Sequence, residues 1–178
     1  MIDPGTADRL LLSLQESKTG LSELYEAMRH ELFSYAYSIL RNTEAAQDTV
    51  SETMLRLYRS IDRYVPTGQG RAYVDAVCRH AAMEQLREQK RQQPAEILPE
   101  TEEDADAVEH SDLRLFLRQL LQMLELPERQ VLVLHYFHDL TFREVAQITG
   151  MPEGSVKWRH TRALAKCRAL AEKGATVR

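Results

Sequence analysis

One stretch of about twenty residues decides what this chain can fold into. Residues 92–111 read QQPAEILPETEEDADAVEHS, with two prolines, many acids and only three large aliphatic residues, Ile97, Leu98 and Val108. A segment of that composition cannot bury enough apolar surface to offset the entropy lost on ordering. No single core runs through it, so it is expected to be a flexible acidic linker. It separates residues 1–91 from residues 112–178, and each side is long enough for three or four helices around a small core.

The periodicity on both sides is helical. Leu21, Leu24, Tyr25, Met28, Leu32, Tyr35 and Ile39 follow the i, i+3, i+4, i+7 rule of an amphipathic helix. Asn42-Thr43 offers capping chemistry before a second stripe, Ala46, Val50, Met54, Leu57, Tyr58 and Ile61. VPTGQG, residues 65–70, is a breaker-rich loop. A third stripe, Tyr73, Val74, Val77 and Ala81, fades after Leu86 into the polar run REQKRQQP. Strict alternation never persists long enough for a strand. The expected fold class is all-α, two small helical domains joined by the flexible acidic linker.

The net charge of −4 argues at first against a nucleic-acid partner, because such domains carry a basic excess. Its distribution argues the other way. Residues 1–94 hold 12 bases and 13 acids, residues 95–112 eight acids and no base, and residues 113–178 eleven bases against six acids. The acidity sits in the connector, with a basic half behind it. Residues 56–91 form a second basic region, with eight bases and four acids. The connector's acids read either as plain solvation or as a polyanion able to enter a basic channel or mask the basic half.

Other classes drop out. No apolar run approaches the ~18 residues of a membrane span, so direct membrane insertion is not expected. MIDPGTADRLLLSL opens with acids and lacks the basic leader of a secretory signal. Cys78 and Cys167 lie far apart without ligand spacing, which fits a reduced cytoplasmic chain with two packing thiols. His135, His138 and Asp139 are too few for a metal site and read as packing and capping groups. No phosphate loop or nucleophile elbow is present, so neither an enzyme nor a cofactor is expected.

The C-terminal half carries the most informative pattern. Helices are expected over 113–124 and 129–138, the second preceded by Pro127 where proline suits a first helical turn. Thr141 and Glu144 then form a T-x-x-E capping box on a short helix, residues 142–148. Gly150 supplies the positive φ of a tight turn, and a long basic helix opens at Pro152-Glu153 and runs to about Lys173. Short helix, glycine turn and longer basic helix make a helix-turn-helix. Such a helix fits a DNA major groove, its early residues reaching base edges and its cations meeting phosphates. Val156, Ala163, Leu164 and Leu170 fall inward; Lys157, Trp158, Thr161 and Arg162 share an outer face. Trp158, the sole tryptophan, is open to two readings, partial burial or groove contact.

LPERQVLVLHYFHDLTFREVAQITGMPEGSVKWRHTRAL resembles the fourth region of bacterial sigma-70 RNA polymerase initiation factors. EAAQDTVSETMLRLYRSIDRY resembles the core-binding helix of that family's second region, and GRAYVDAVCRHAAMEQLREQKR the promoter-melting and minus-10 helix. Two regions and a linker without a third domain match the extracytoplasmic-function (ECF) layout. The resemblance implies domains at 1–91 (core binding, minus-10 recognition and melting) and 112–178 (minus-35 recognition), with the linker at 92–111. It implies docking on the polymerase β′ clamp coiled coil through Asp48, Ser51 and Glu52, with Met54, Leu55 and Tyr58 nearby, and contact with the β flap. Ser51 stands where the family usually carries Gln.

By the same resemblance, the loop 65–70 captures a flipped minus-10 base, with Arg71 and His80 on the following helix and Tyr64 and Tyr73 stacking on unpaired bases. Arg79, Arg87, Lys90 and Arg91 would follow the melted backbone. Tyr73 replaces the usual Trp and His80 the usual Asn, departures that suit a changed base preference. Lys157, Trp158, Thr161 and Arg162, with Ser155, Arg159 and Lys166 beside them, map to the minus-35 reading helix, Trp158 replacing Ser. An anti-sigma partner is implied as well, and a cytoplasmic location, either free or tethered to the membrane through that partner. The rival reading is a stand-alone helix-turn-helix regulator of transcription.

Overall fold

The computed structural model describes residues 4–17, 19–92 and 123–175, and all their regular structure is helical. The chain divides into two units, residues 1–101 and 102–178. Residues 93–111 of the expected linker and 113–122 of the expected helix 113–124 lie outside the described residues; residue 92 is still helical, and Met123 and Leu124 form a turn and a bend rather than helix.

In the first unit, α1 spans Pro4–Glu16, α2 Gly20–Leu40 and α3 Thr43–Ser60. A 3₁₀ turn, Ile61–Arg63, leads through an exposed loop to α4, Gly70–Gln92. The stripes read from the sequence are the faces that pack. Leu24, Met28, Leu32 and Tyr35 of α2, Val50, Met54 and Leu57 of α3, and Val74 and Cys78 of α4 are all buried. Each such large side chain contributes roughly 1.5–3 kcal/mol of burial free energy. The α2–α3 corner is tight. Arg41 takes the left-handed conformation (φ 55°) and donates its N–H to Tyr37, and Asn42 Oδ1 accepts the Ala45 N–H at 2.8 Å. That contact satisfies one orphan donor of α3.

Helix α1, about which the periodicity says little, completes this core with Ala7, Leu11 and Leu14. It crosses the start of α4 closely. A Cβ on Gly70 would sit 2.7 Å from the Asp8 backbone nitrogen, so only glycine fits there.

In the second unit, α5 covers Leu126–Leu132 and continues as a π turn, Val133–Phe137. The apolar spacing predicts an ordinary helix to residue 138. Instead, His138 N–H bonds to the Val133 carbonyl at 3.2 Å, an i→i+5 closure that ends the helix. Helix α6 is Phe142–Thr149, with Thr141 and Glu144 forming the capping box, the Thr141 N–H reaching Glu144 Oε2 at 2.8 Å. Gly150 has φ 70° and donates to the Ala146 carbonyl, the left-handed C-cap that turns the chain into α7, Glu153–Ala175. Leu124, Leu132 and Ala163, with Leu164 and Cys167 packed against them, pin α7 to α5; Val145, Ile148 and Val156 are buried alongside.

Candidate core-binding and nucleic-acid interfaces

The first candidate surface lies on α3. Helical spacing puts Asp48, Ser51, Glu52 and Leu55 on one face, and all are exposed or half-buried, with Leu55 46% exposed despite its aliphatic side chain. Glu52 is held by Arg56 at 2.7 Å, and Arg56 also reaches Glu84 of α4 at 2.6 Å. Those contacts hold the Glu84 carboxyl below the ordinary range, chiefly through its hydrogen bond to Arg56. Tyr58 is half-buried at the end of this face. Met54 departs from the expectation: it is 5% exposed and belongs to the core. Its place on the inward stripe of α3 turns it into the helical bundle.

The second surface is the loop 65–69 with the outer face of α4. Val65 is 70% exposed, and Pro66 to Gln69 are exposed as well. His80, Arg87, Lys90 and Arg91 project outward, while Arg79 is half-buried. Arg91 pairs with Glu88 at 3.1 Å.

Arg71 is a clear correction to the expected site. Its side chain is 3% exposed and pairs with Glu31 of α2 at 2.6 Å and with Asp75 at 3.9 Å. A guanidinium enclosed by two acids anchors α4 to α2 and leaves almost none of its surface exposed. Tyr64 and Tyr73, both half-buried, pack on each other and on α1 and α3. Their rings lie 5.1 Å apart, Tyr64 Oη donates to Asp8 of α1, and Tyr73 Oη shares a hydrogen bond with Ser60 at 3.1 Å. Burial first, then the Asp8 hydrogen bond, raises the Tyr64 pKa. Gln15 of α1 donates to the Ile61, Asp62 and Tyr64 carbonyls at 3.1, 3.3 and 3.5 Å. Helix α1 thus fixes the base of the loop. Only the local sequence was legible there; the partners lie 46 to 56 residues away.

The third surface is α7. Lys157, Trp158, Thr161 and Arg162 are exposed, with Ser155, Arg159 and Lys166 half-buried. Trp158 is 54% exposed, with the Arg159 and Arg162 guanidinium carbons 5.7 and 5.1 Å from its ring centroid. The two readings of Trp158 resolve toward an outward ring flanked by cations. Lys157 pairs with Glu153 at 2.6 Å. Arg162 and Lys166 meet the buried Glu128 of α5 at 3.1 and 2.7 Å, contacts the sequence did not suggest. On the opposite side, His135 and His160 join Tyr136 and Phe142 in a ring cluster, His135 lying 4.5 Å from Phe142 and 5.3 Å from His160. His138 is 1% exposed. No group of three metal-ligating side chains occurs among the described residues.

These surfaces lie where comparison with known proteins places two family regions. Residues 24–92 match Sigma-70 region 2, and residues 116–167 match Sigma-70, region 4. The RNA polymerase sigma-E factor of Streptomyces avermitilis is 32% identical over 128 residues, covering 71% of each chain. The ECF RNA polymerase sigma factor SigM of Bacillus subtilis is 23% identical over 158 residues, covering 86% of this chain and 96% of that one. In fold, the sigma factor RpoE of Bartonella quintana, solved with the anti-sigma factor NepR, superposes with a TM-score of 0.70 at 20% identity, covering 84% of this chain and 97% of that one.

The chain belongs to the sigma-70 family of RNA polymerase sigma factors and is of the ECF type. It is a transcription initiation factor, of a family that is not one of enzymes. The stand-alone regulator is not favoured, because region 2 precedes region 4 in the same chain.

Proposed function

We propose that the three surfaces divide promoter initiation among them. The α3 face, Asp48, Ser51, Glu52, Leu55 and Tyr58, docks on the clamp coiled coil of core polymerase, and the second unit engages the β flap. The loop 65–69 traps an unpaired minus-10 base while His80, Arg79, Arg87, Lys90 and Arg91 follow the melted strand. Helix α7 reads the minus-35 element through Ser155, Lys157, Trp158, Arg159, Thr161 and Arg162. Melting proceeds by capture of flipped bases, without covalent chemistry. Domains at 1–91 and 112–178, joined by the acidic segment 92–111, hold both elements at high effective concentration.

The observation carrying this reading is the order of the two matched regions, each presenting an outward cationic helix face. An anti-sigma factor is the expected inhibitor, by analogy with the complex of the Bartonella quintana factor. The cytoplasm is the expected compartment; no described helix is long and apolar enough to cross a membrane. Co-elution with purified core polymerase tests the docking face. The wild type associates at micromolar concentration, and Leu55→Asp weakens that association at least tenfold with helicity unchanged. No association of the folded wild type would overturn the reading.

A further inference from the structure

An acid is buried beneath the DNA-reading helix. Glu128, in the first turn of α5, is 1% exposed. Its Oε2 accepts from Lys166 Nζ at 2.7 Å and from the Glu125 N–H at 3.2 Å. Its Oε1 stands 3.1 Å from Arg162 Nε, a charge contact rather than an aligned hydrogen bond. Glu125, which is exposed, adds a second layer, reaching Arg162 Nη2 at 3.4 Å and Lys166 Nζ at 3.6 Å. The two cations are one helical turn apart on α7, and Arg162 also lies over Trp158.

Glu128 and Glu125 also close the capping box that starts α5, a role that a glutamine fills as well and that does not need the buried charge. Burying a carboxylate is unfavourable unless it is paired, and an apolar residue of similar volume commonly serves as well or better. The apolar contact of Leu124 and Leu132 with Ala163 already holds α5 to α7. The consequence of the charge falls on Arg162 and Lys166. Free cations on long stems pair with any phosphate, a contact that carries no sequence information. Held by Glu128, the two cations keep one orientation and lose part of their attraction for the backbone. Arg162, with five N–H donors, retains groups to direct outward.

We propose that Glu128, seconded by Glu125, is a specificity-determining positioning residue that fixes Arg162 and Lys166 and withholds them from indiscriminate phosphate contact. The inference rests on the proposed minus-35 role of α7. It predicts that removing an acid raises DNA affinity where affinity is least wanted.

The test uses the full chain as wild type, Glu128→Gln and Glu125→Gln, each checked for helicity and melting. Binding is measured between about 50 and 200 mM salt on two duplexes. One carries the upstream element of a promoter mapped with the holoenzyme, and the other is scrambled. Each cation released to a phosphate adds about 0.9 to the slope of log K against log salt. Glu128→Gln should therefore steepen the slope by about 1 to 2 on the scrambled duplex. Preference for the true element should fall on the order of tenfold, the discrimination that one well-held base contact supplies.

Emission of Trp158, the only tryptophan, should change in the same variant without DNA as Arg162 leaves its ring. Glu125→Gln should shift slope and preference the same way by less, and it carries the test if Glu128→Gln does not fold. Folded variants with wild-type slope, preference and emission would overturn the proposal. So would equal loss of affinity on both duplexes at unchanged slope, the mark of a purely structural role. A wild type with no preference for the upstream element would instead remove the minus-35 reading itself, and this inference with it.

Discussion

Replacing Arg71 by alanine separates fold from function in the first unit. The side chain is 3% exposed, and its partners Glu31 and Asp75 are 18% and 0% exposed. Removing the guanidinium takes a cation from two acids on two helices, one of them fully enclosed. Breaking a buried pair from one side typically costs about 3–5 kcal/mol. A domain of this size loses about 4–8 °C of melting temperature per kcal/mol, so the transition should drop by at least about 12 °C. Circular dichroism of the full chain on heating, with amide exchange along α4, measures the effect. Arg71→Met with Glu31→Gln should recover part of it, because one of the two facing acids is neutralised as well. Arg87→Ala, at an exposed position, should stay within about 0.5 kcal/mol of the wild type. If Arg71→Ala melts like the wild type yet fails to open promoters, the burial argument is wrong and Arg71 returns to the DNA-facing set.

Other consequences are simpler to check. Cys78, whose thiol burial pushes up to about 12, should resist alkylation at pH 8 until the chain unfolds, while the half-buried Cys167 reacts in the folded protein. Burial first, then His135, depresses the His160 pKa. A depressed histidine favours the neutral folded form, so its contribution is present above about pH 6.5, the ordinary value, and fades as the pH falls below it. His160→Phe should flatten the pH dependence of melting there, and an unchanged profile would argue against the ring cluster as its source. Gln15→Ala removes the contacts to three carbonyls at the loop base, worth about 0.5–1.5 kcal/mol for a typical hydrogen bond. Faster amide exchange over residues 61–69, with α1 still helical, is the expected readout.

Local chemistry made much of the fold legible. Asn42, Thr141, Glu144 and Gly150 cap and turn the chain as their residue types predict, since capping acts within four residues. Apolar spacing gave the packed faces of α2, α3 and α7. Contacts between distant residues were not legible. Arg71 looks like one more cation on a basic helix until Glu31, 40 residues earlier, is seen against it. Tyr64 and Tyr73 look like free side chains until Asp8 and Ser60 are seen to bond their hydroxyls. Glu128 gives no sign of lying under Arg162 and Lys166, because the angle between α5 and α7 decides it. The π turn at 133–137 likewise depends on how the chain must leave α5 to reach α6.

On the proposed reading, this chain gives core polymerase its choice of promoter through two separately read elements. Mapping the 5′ ends of transcripts made by purified core with the full chain tests it most directly. Discrete start sites absent with core alone are expected, sharing an upstream and a downstream element and lost when either element is scrambled. Start sites identical to those of core alone would contradict it.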